Sequence, residues 1–186
     1  YKSKIINNKF DIDYIPLHFT EINNIGKVSI YKLFKAVYYF FKIFFRLLVK
    51  KYDAIYFTLS PVSFSFYRDL LYVFILKLFK SNIIYHLHGK GIQEFSAKKP
   101  LNNYLYKFCF NNTKVIHLSK LLYYDIEKYV KKDDCFFLAN GIDHKQKIKI
   151  DKKNKTINIL YLSNLVKSKG FLDLLEAAKL LNKNYT

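Results

Sequence analysis

A chain of 186 residues that is 51% hydrophobic and 25% charged can bury a real core, which excludes a disordered polypeptide. Its two cysteines, Cys109 and Cys135, are too few for a disulfide framework and lack metal-ligand spacing, so they read as reduced, buried thiols of a cytoplasmic protein. The formal net charge of +18 points toward anionic partners, while its near-exclusive use of lysine favours an anionic membrane surface over nucleic-acid readout; an abundance of Lys, Asn, Ile, Tyr and Phe yields the same charge with no partner at all.

In chain order, "IDYIPL" (12–17) reads as a short strand. The segment "VSIYKLFKAVYYFFKIFFRLLVKKYD" is helical, and Lys32, Lys35, Lys42, Arg46 and Lys50 share one narrow stripe because their separations follow the helical repeat. No uncharged run in it is long enough to span a bilayer. A wide apolar face beside a cationic stripe suits a membrane interface. A helix packed between a sheet and a neighbour, showing water only its lysines, fits the same pattern and is the preferred reading.

"AIYFTLS" (54–60) reads as a buried strand, with Ser60-Pro61 as cap and first-turn proline of the helix "VSFSFYRDLLYVFILKLF". "NIIYHLHGKG" (82–91) is a strand entering a glycine-bearing loop. "TKVIHLS" (113–119) repeats that pattern before a helix "KLLYYDIEKYV", and "CFFLANGID" (135–143) is a further strand with a turn. After the basic segment 144–155 come the strand "TINILYLS" (156–163) and a last helix.

Alternating helices with continuous apolar strands predict an α/β fold, a parallel sheet covered on both faces and doubly wound. The basic run is the plausible linker and gives domains of 1–150 and 151–186. Ligands of such sheets lie beyond the carboxyl ends of the strands. Those ends hold His86 to Gly91, Ser119, Asn140 to Asp143, and Ser163 to Gly170. Gly89 and Gly91 would let a loop approach a ligand, Asn140-Gly141 favours positive φ, and Arg68 with Asp69 reads as a solvent-exposed pair. His86 and His88 have no third ligand in sight, so no metal is expected.

The segments "HLHGKG", "IHLSK", "LANGID" and "LYLSNLVKSKG" stand in an order and at separations that resemble the glycosyltransferases of family 4, over residues 53–186. The resemblance implies a GT-B fold: a Rossmann-like N-terminal domain lacking its first strand, plus the first strand-helix unit of a second Rossmann-like, nucleotide-sugar-binding domain. It implies transfer of a sugar from a nucleoside-diphosphate sugar to a saccharide or lipid-linked acceptor of bacterial surface polysaccharide, with retention and without a cofactor. The place implied is the cytoplasmic face of the cell membrane.

Residue by residue, Lys169 matches the lysine that holds the donor diphosphate, with Gly170 admitting the backbone at the helix start. His88 matches the histidine near the reacting sugar, and Gly89, Ser119 and Asn140 would line the cleft. The family's second diphosphate ligand is an arginine; here its place is Asn164, preceded by Ser163 where glycine is usual, which leaves Lys167 to supply charge. The family's glycine-rich first loop and its Glu-x7-Glu element have no counterpart within the chain, which reads as the inactive middle of an enzyme. Two rivals follow from the same residues: a non-enzymatic basic module for anionic membrane or nucleic acid, and a different GT-B enzyme such as a sugar-nucleotide epimerase.

Overall fold

A computed structural model of the chain describes residues 8–19, 30–141, 159–163, 165 and 169–180. The chain falls into two packed units, Tyr1–Gly141 and Ile142–Thr186. In the first, helix α1 (Ile30–Val49) precedes strand β1 (Ile55–Thr58) and helix α2 (Ser63–Leu78). Strand β2 (Ile83–Leu87), helices α3 (Ile92–Ala97) and α4 (Pro100–Phe110), and strand β3 (Lys114–His117) follow. Two 3₁₀ turns, Lys120–Asp125 and Lys132–Asp134, lead to strand β4 (Cys135–Phe137). The second unit contributes helix α5 (Phe171–Lys179).

The four strands form one all-parallel sheet in the order β1-β2-β3-β4. This is an α/β, Rossmann-like arrangement. Register aligns Phe57, Tyr85, Val115 and Cys135 in a row across the sheet, and all four are buried. The helices close over this face with Phe66, Tyr72, Val73, Tyr106, Cys109 and Phe110. Much of that core is tyrosine, and its buried phenols are bonded: Tyr72 donates to Ala36 O, Tyr85 to Cys109 O and Tyr106 to Pro61 O, while the Tyr39 hydroxyl accepts His18 N–H. A buried hydroxyl without such a partner would be costly, so these bonds are what let large aromatics fill the interior.

Among the described residues the opposite face is only partly covered. The next row, Thr58, His86, Ile116 and Phe136, turns the other way; Thr58 and Phe136 are exposed at its two ends, Ile116 is half-buried and His86 is buried. Strands that step one way with right-handed crossovers place every connecting helix on one side. The expected cover on both faces is therefore replaced, among the described residues, by a sheet wound once.

Several local expectations change. Residues 12–17 run as irregular chain against α1, since no strand lies beside them: Asp13 pairs with Arg46 at 2.6 Å and Asp11 with Lys50 at 2.7 Å. Residues 159–162 are likewise not a strand, and no strand partner for them stands among the described residues; 156–158 lie outside the described residues. The segment after β3 forms a 3₁₀ turn where a helix was expected, pulled inward by buried Asp125, Ile126 and Val130. Val62, not Ser60, is the residue that precedes the first turn of α2. And α1 shows water far more than lysine: only Ala36 and Tyr39 are buried, while Phe34 is 71% and Phe41 50% exposed.

Candidate functional site

Parallel strands deliver their following loops to one edge of the sheet, so the ends of β1, β2, β3 and β4 gather Ser60, His88, Ser119 and Asn140 in the first unit. The loop "HGKG" after β2 is held by residues distant in sequence. The Asp125 carboxylate accepts the backbone N–H groups of Gly91 at 2.9 Å, Ile92 at 3.1 Å and Gln93 at 3.0 Å. Those are the free donors at the start of α3, and an acid of the chain itself fills them. Gly91 adopts φ +114°, and a methyl group there would also meet Val62 Cγ1 at 3.2 Å. The Gly89 Cα faces Pro61, whose Cγ would lie 3.2 Å from an added Cβ. Both glycines let the loop pack closely against the β1 end.

The end of β1 is stapled in the same manner. Asp69 Oδ2 accepts Ser60 N–H at 2.9 Å, and Arg68 donates to Asp69 Oδ1 from Nε at 2.9 Å and Nη2 at 2.7 Å. Asp69 is 1% exposed, and Arg68 lies over the Phe19 ring at 4.1 Å. The pair expected at the surface is thus interior. Burial raises the Asp69 carboxyl above the usual range despite Arg68 and the Ser60 bonds, which shows how fully the site is taken out of water.

Three histidines collect at this edge. His86 is on β2 and His88 follows the strand end two residues on, so they share a side; their rings are in contact, tilted at 35° with centroids 4.0 Å apart. Tyr56 on β1 hydrogen-bonds His86 Nδ1, and Leu118 N–H donates to His117 Nδ1 at 2.9 Å. The Nε2 atoms of His86 and His117 are buried with no partner among the described residues. Burial lowers the pKa of both rings; neighbouring His88 adds to this for His86, and the Asp125 carboxylate works against it for His117. Neutral, interior imidazoles are poor acids and poor anion ligands. His88 is the exposed one of the three, and it alone stands where a ligand can reach it.

The remaining expected residues fare differently. Ser119 caps the 3₁₀ turn, its Oγ accepting Leu121 N–H at 3.2 Å. Asn140 is exposed, and Gly141 is not at positive φ, so the expected Asn-Gly turn conformation is absent; Asp143 lies outside the described residues. A cavity of about 260 Å³ beside this end is lined by Lys120, Tyr123, Lys132 and Phe137, none of them an expected site residue. In the second unit, Lys169 is exposed and its carbonyl accepts the Tyr161 hydroxyl at 2.9 Å. Gly170 takes φ +77° immediately before α5, the conformation that glycine supplies without strain. Asp173 sits in the first turn of α5, 3.4 Å from where a Cβ on Gly170 would be, so the chain places a negative group at that helix start too. Ser163 is exposed; Asn164 and Lys167 lie outside the described residues.

The chain matches no known family, no characterised protein and no solved structure. Among the described residues no three His, Cys, Asp or Glu side chains are grouped to hold a metal, and no helix is long and apolar enough to cross a membrane. Asp125, His117 and Tyr56 are the residues that sequence reading missed. Only the two-residue spacing of His86 and His88 carried a local signal.

Proposed function

We propose for this chain a GT-B glycosyltransferase function resembling family 4, using a nucleoside-diphosphate sugar and a saccharide or lipid-linked acceptor. The observation that carries this reading is the pair of glycine-bearing loops: His88-Gly89 at the end of β2, and Lys169-Gly170 at the positive-φ entry to α5. Both stand at the positions where the four family-like segments fall in order.

The chemistry assigned to them follows from charge. As the bond to the sugar breaks, the departing nucleoside diphosphate gains negative charge, and a cation already in place lowers the barrier. Lys169 supplies that cation, and the N–H groups at the start of α5 add a smaller positive field. Asp173 subtracts from that field, which makes the lysine the decisive group. His88, whose ring contacts His86 at a 35° tilt, meets the sugar as a hydrogen-bonding partner.

Titration of the full protein with UDP- and GDP-sugars, followed by calorimetry, tests the reading. Lys169→Ala should weaken donor binding by roughly 10- to 100-fold, the worth of hydrogen bonds to a charged group. Saturable binding that Lys169→Ala leaves unchanged would remove the lysine from the site. An absence of any nucleotide-sugar binding would overturn the enzyme reading itself.

A further inference from the structure

We propose that the outer face of α1 docks on an anionic lipid bilayer, lying in its interface without crossing it. This rests on α1 and its charge and is independent of the donor-site reading.

The helix has three longitudinal zones. Ala36 and Tyr39 are buried, and Phe40, Ile43 and Leu47 pack against the core beside them. On the other side Ile30, Leu33, Phe34, Val37, Phe41 and Phe45 are all exposed. At 100° per residue this exposed apolar arc covers roughly 120° of the helix. Such a face on a helix of 20 residues is far more than scattered surface hydrophobics.

What covers it is indicated by its border. Tyr31 and Tyr38 lie at one margin of the apolar arc, and Lys35 and Lys42 lie just beyond, with their ammonium groups 4.7 Å and 5.9 Å from those two rings. Passing around the helix, one meets aliphatic and phenyl groups, then phenols, then ammonium groups. That is the sequence of environments from acyl chain through headgroup boundary to lipid phosphate. The helix contains no acidic residue, and the chain carries a net charge of +18. A protein partner would need an apolar groove of matching acidity. Anionic headgroups supply the complementary charge over any length, and a juxtamembrane lysine is worth roughly fivefold in affinity.

The protein has no tryptophan, so one introduced residue reports without background. The full 186-residue chain carrying Phe41→Trp is mixed with vesicles of phosphatidylglycerol and phosphatidylcholine, or of phosphatidylcholine alone. Docking predicts a blue shift of the emission and quenching by shallow nitroxide lipids with the anionic vesicles, weakened in high salt. Lys35→Gln with Lys42→Gln in the same background should lower affinity for anionic vesicles by about 20- to 30-fold. Far-UV circular dichroism confirms that each variant is folded. An unchanged emission in folded protein overturns the proposal. So does a blue shift that grows with protein concentration in the absence of lipid, which would identify a second copy as the occupant.

Discussion

Asp125 and Gly91 are 34 residues apart and joined by a hydrogen bond of 2.9 Å from the Gly91 N–H to the Asp125 carboxylate. The same carboxylate takes the next two N–H groups, so the loop after β2 is fastened to the turn after β3 by one acid. Asp125→Ala leaves three interior or half-buried donors without this acceptor. A loss of about 2–4 kcal/mol in unfolding free energy is expected, measured by urea denaturation. Asp125→Asn, with one carbonyl oxygen left to accept, should fall between. A change within about 0.5 kcal/mol, the range of ordinary surface substitutions, would contradict the staple.

Gly91 and Gly141 make opposite predictions although both follow a strand. Gly91→Ala forces an L side chain to φ +114° and pushes its methyl to 3.2 Å from Val62 Cγ1. It should destabilise by about 1–3 kcal/mol. Gly141 is not at positive φ and has nothing within 4 Å of an added Cβ. Gly141→Ala should be neutral or stabilising by up to about 1 kcal/mol, through a less flexible unfolded chain. Equal losses at both positions in the same denaturation assay would refute the distinction.

The buried imidazoles give the fold a pH dependence with a definite sign. His86 and His117 have lowered pKa values when folded, so below the ordinary value of 6.5 the unfolded chain binds protons that the folded one refuses. Stability is full above that value and falls as the pH is lowered, by at most about 1.4 kcal/mol per pH unit for each ring. Asp69 acts the other way: its carboxyl is raised above 3.8, so acid relieves a buried charge there. Urea midpoints between pH 7.5 and 5.5 should drop for the native sequence. The drop should shrink in His86→Gln/His117→Asn and persist in Asp69→Asn. A flat native profile would mean that the rings are not shielded from water.

The strands were legible because each is a short run of β-branched and aromatic residues bounded by polar turns, as in "AIYFTLS" and "TKVIHLS". The parallel order followed from their alternation with helices. What stayed hidden depends on partners that are remote in sequence. "KLLYYDIEKYV" has helical spacing, yet Asp125 is drawn to N–H groups more than thirty residues away and the segment tightens to a 3₁₀ turn. "IDYIPL" and "ILYL" have strand composition, and composition cannot reveal whether a neighbour exists to receive their backbone bonds. Arg68-Asp69 has the look of a surface pair; only the fold shows Ser60 and Phe19 closing over it. In the loop after β2, His88 could be picked out by its two-residue spacing from His86. The residues that fix the His88 loop could not.

The cysteines provide a test of the packing between α4 and the sheet. Cys109 is fully buried, its carbonyl accepts the Tyr85 hydroxyl, and burial pushes its thiol up to about 12. The thiolate is the reactive form, so at pH 8 only about one molecule in ten thousand would present it even if reagent could reach the sulfur. Cys135 is also buried, at the start of β4, with its thiol shifted upward by the same cause. Neither should react with Ellman's reagent in native buffer, and both should react at once in concentrated urea. Modification in native buffer then requires opening, and its dependence on urea reports how much surface each opening exposes. Cys135 lies on an edge strand of the sheet and Cys109 in the fully buried core, so Cys135 should be released by the smaller event. Rapid labelling of Cys109 in the absence of denaturant would mean that α4 does not close over Tyr85, and the tyrosine-filled core would have to be drawn differently.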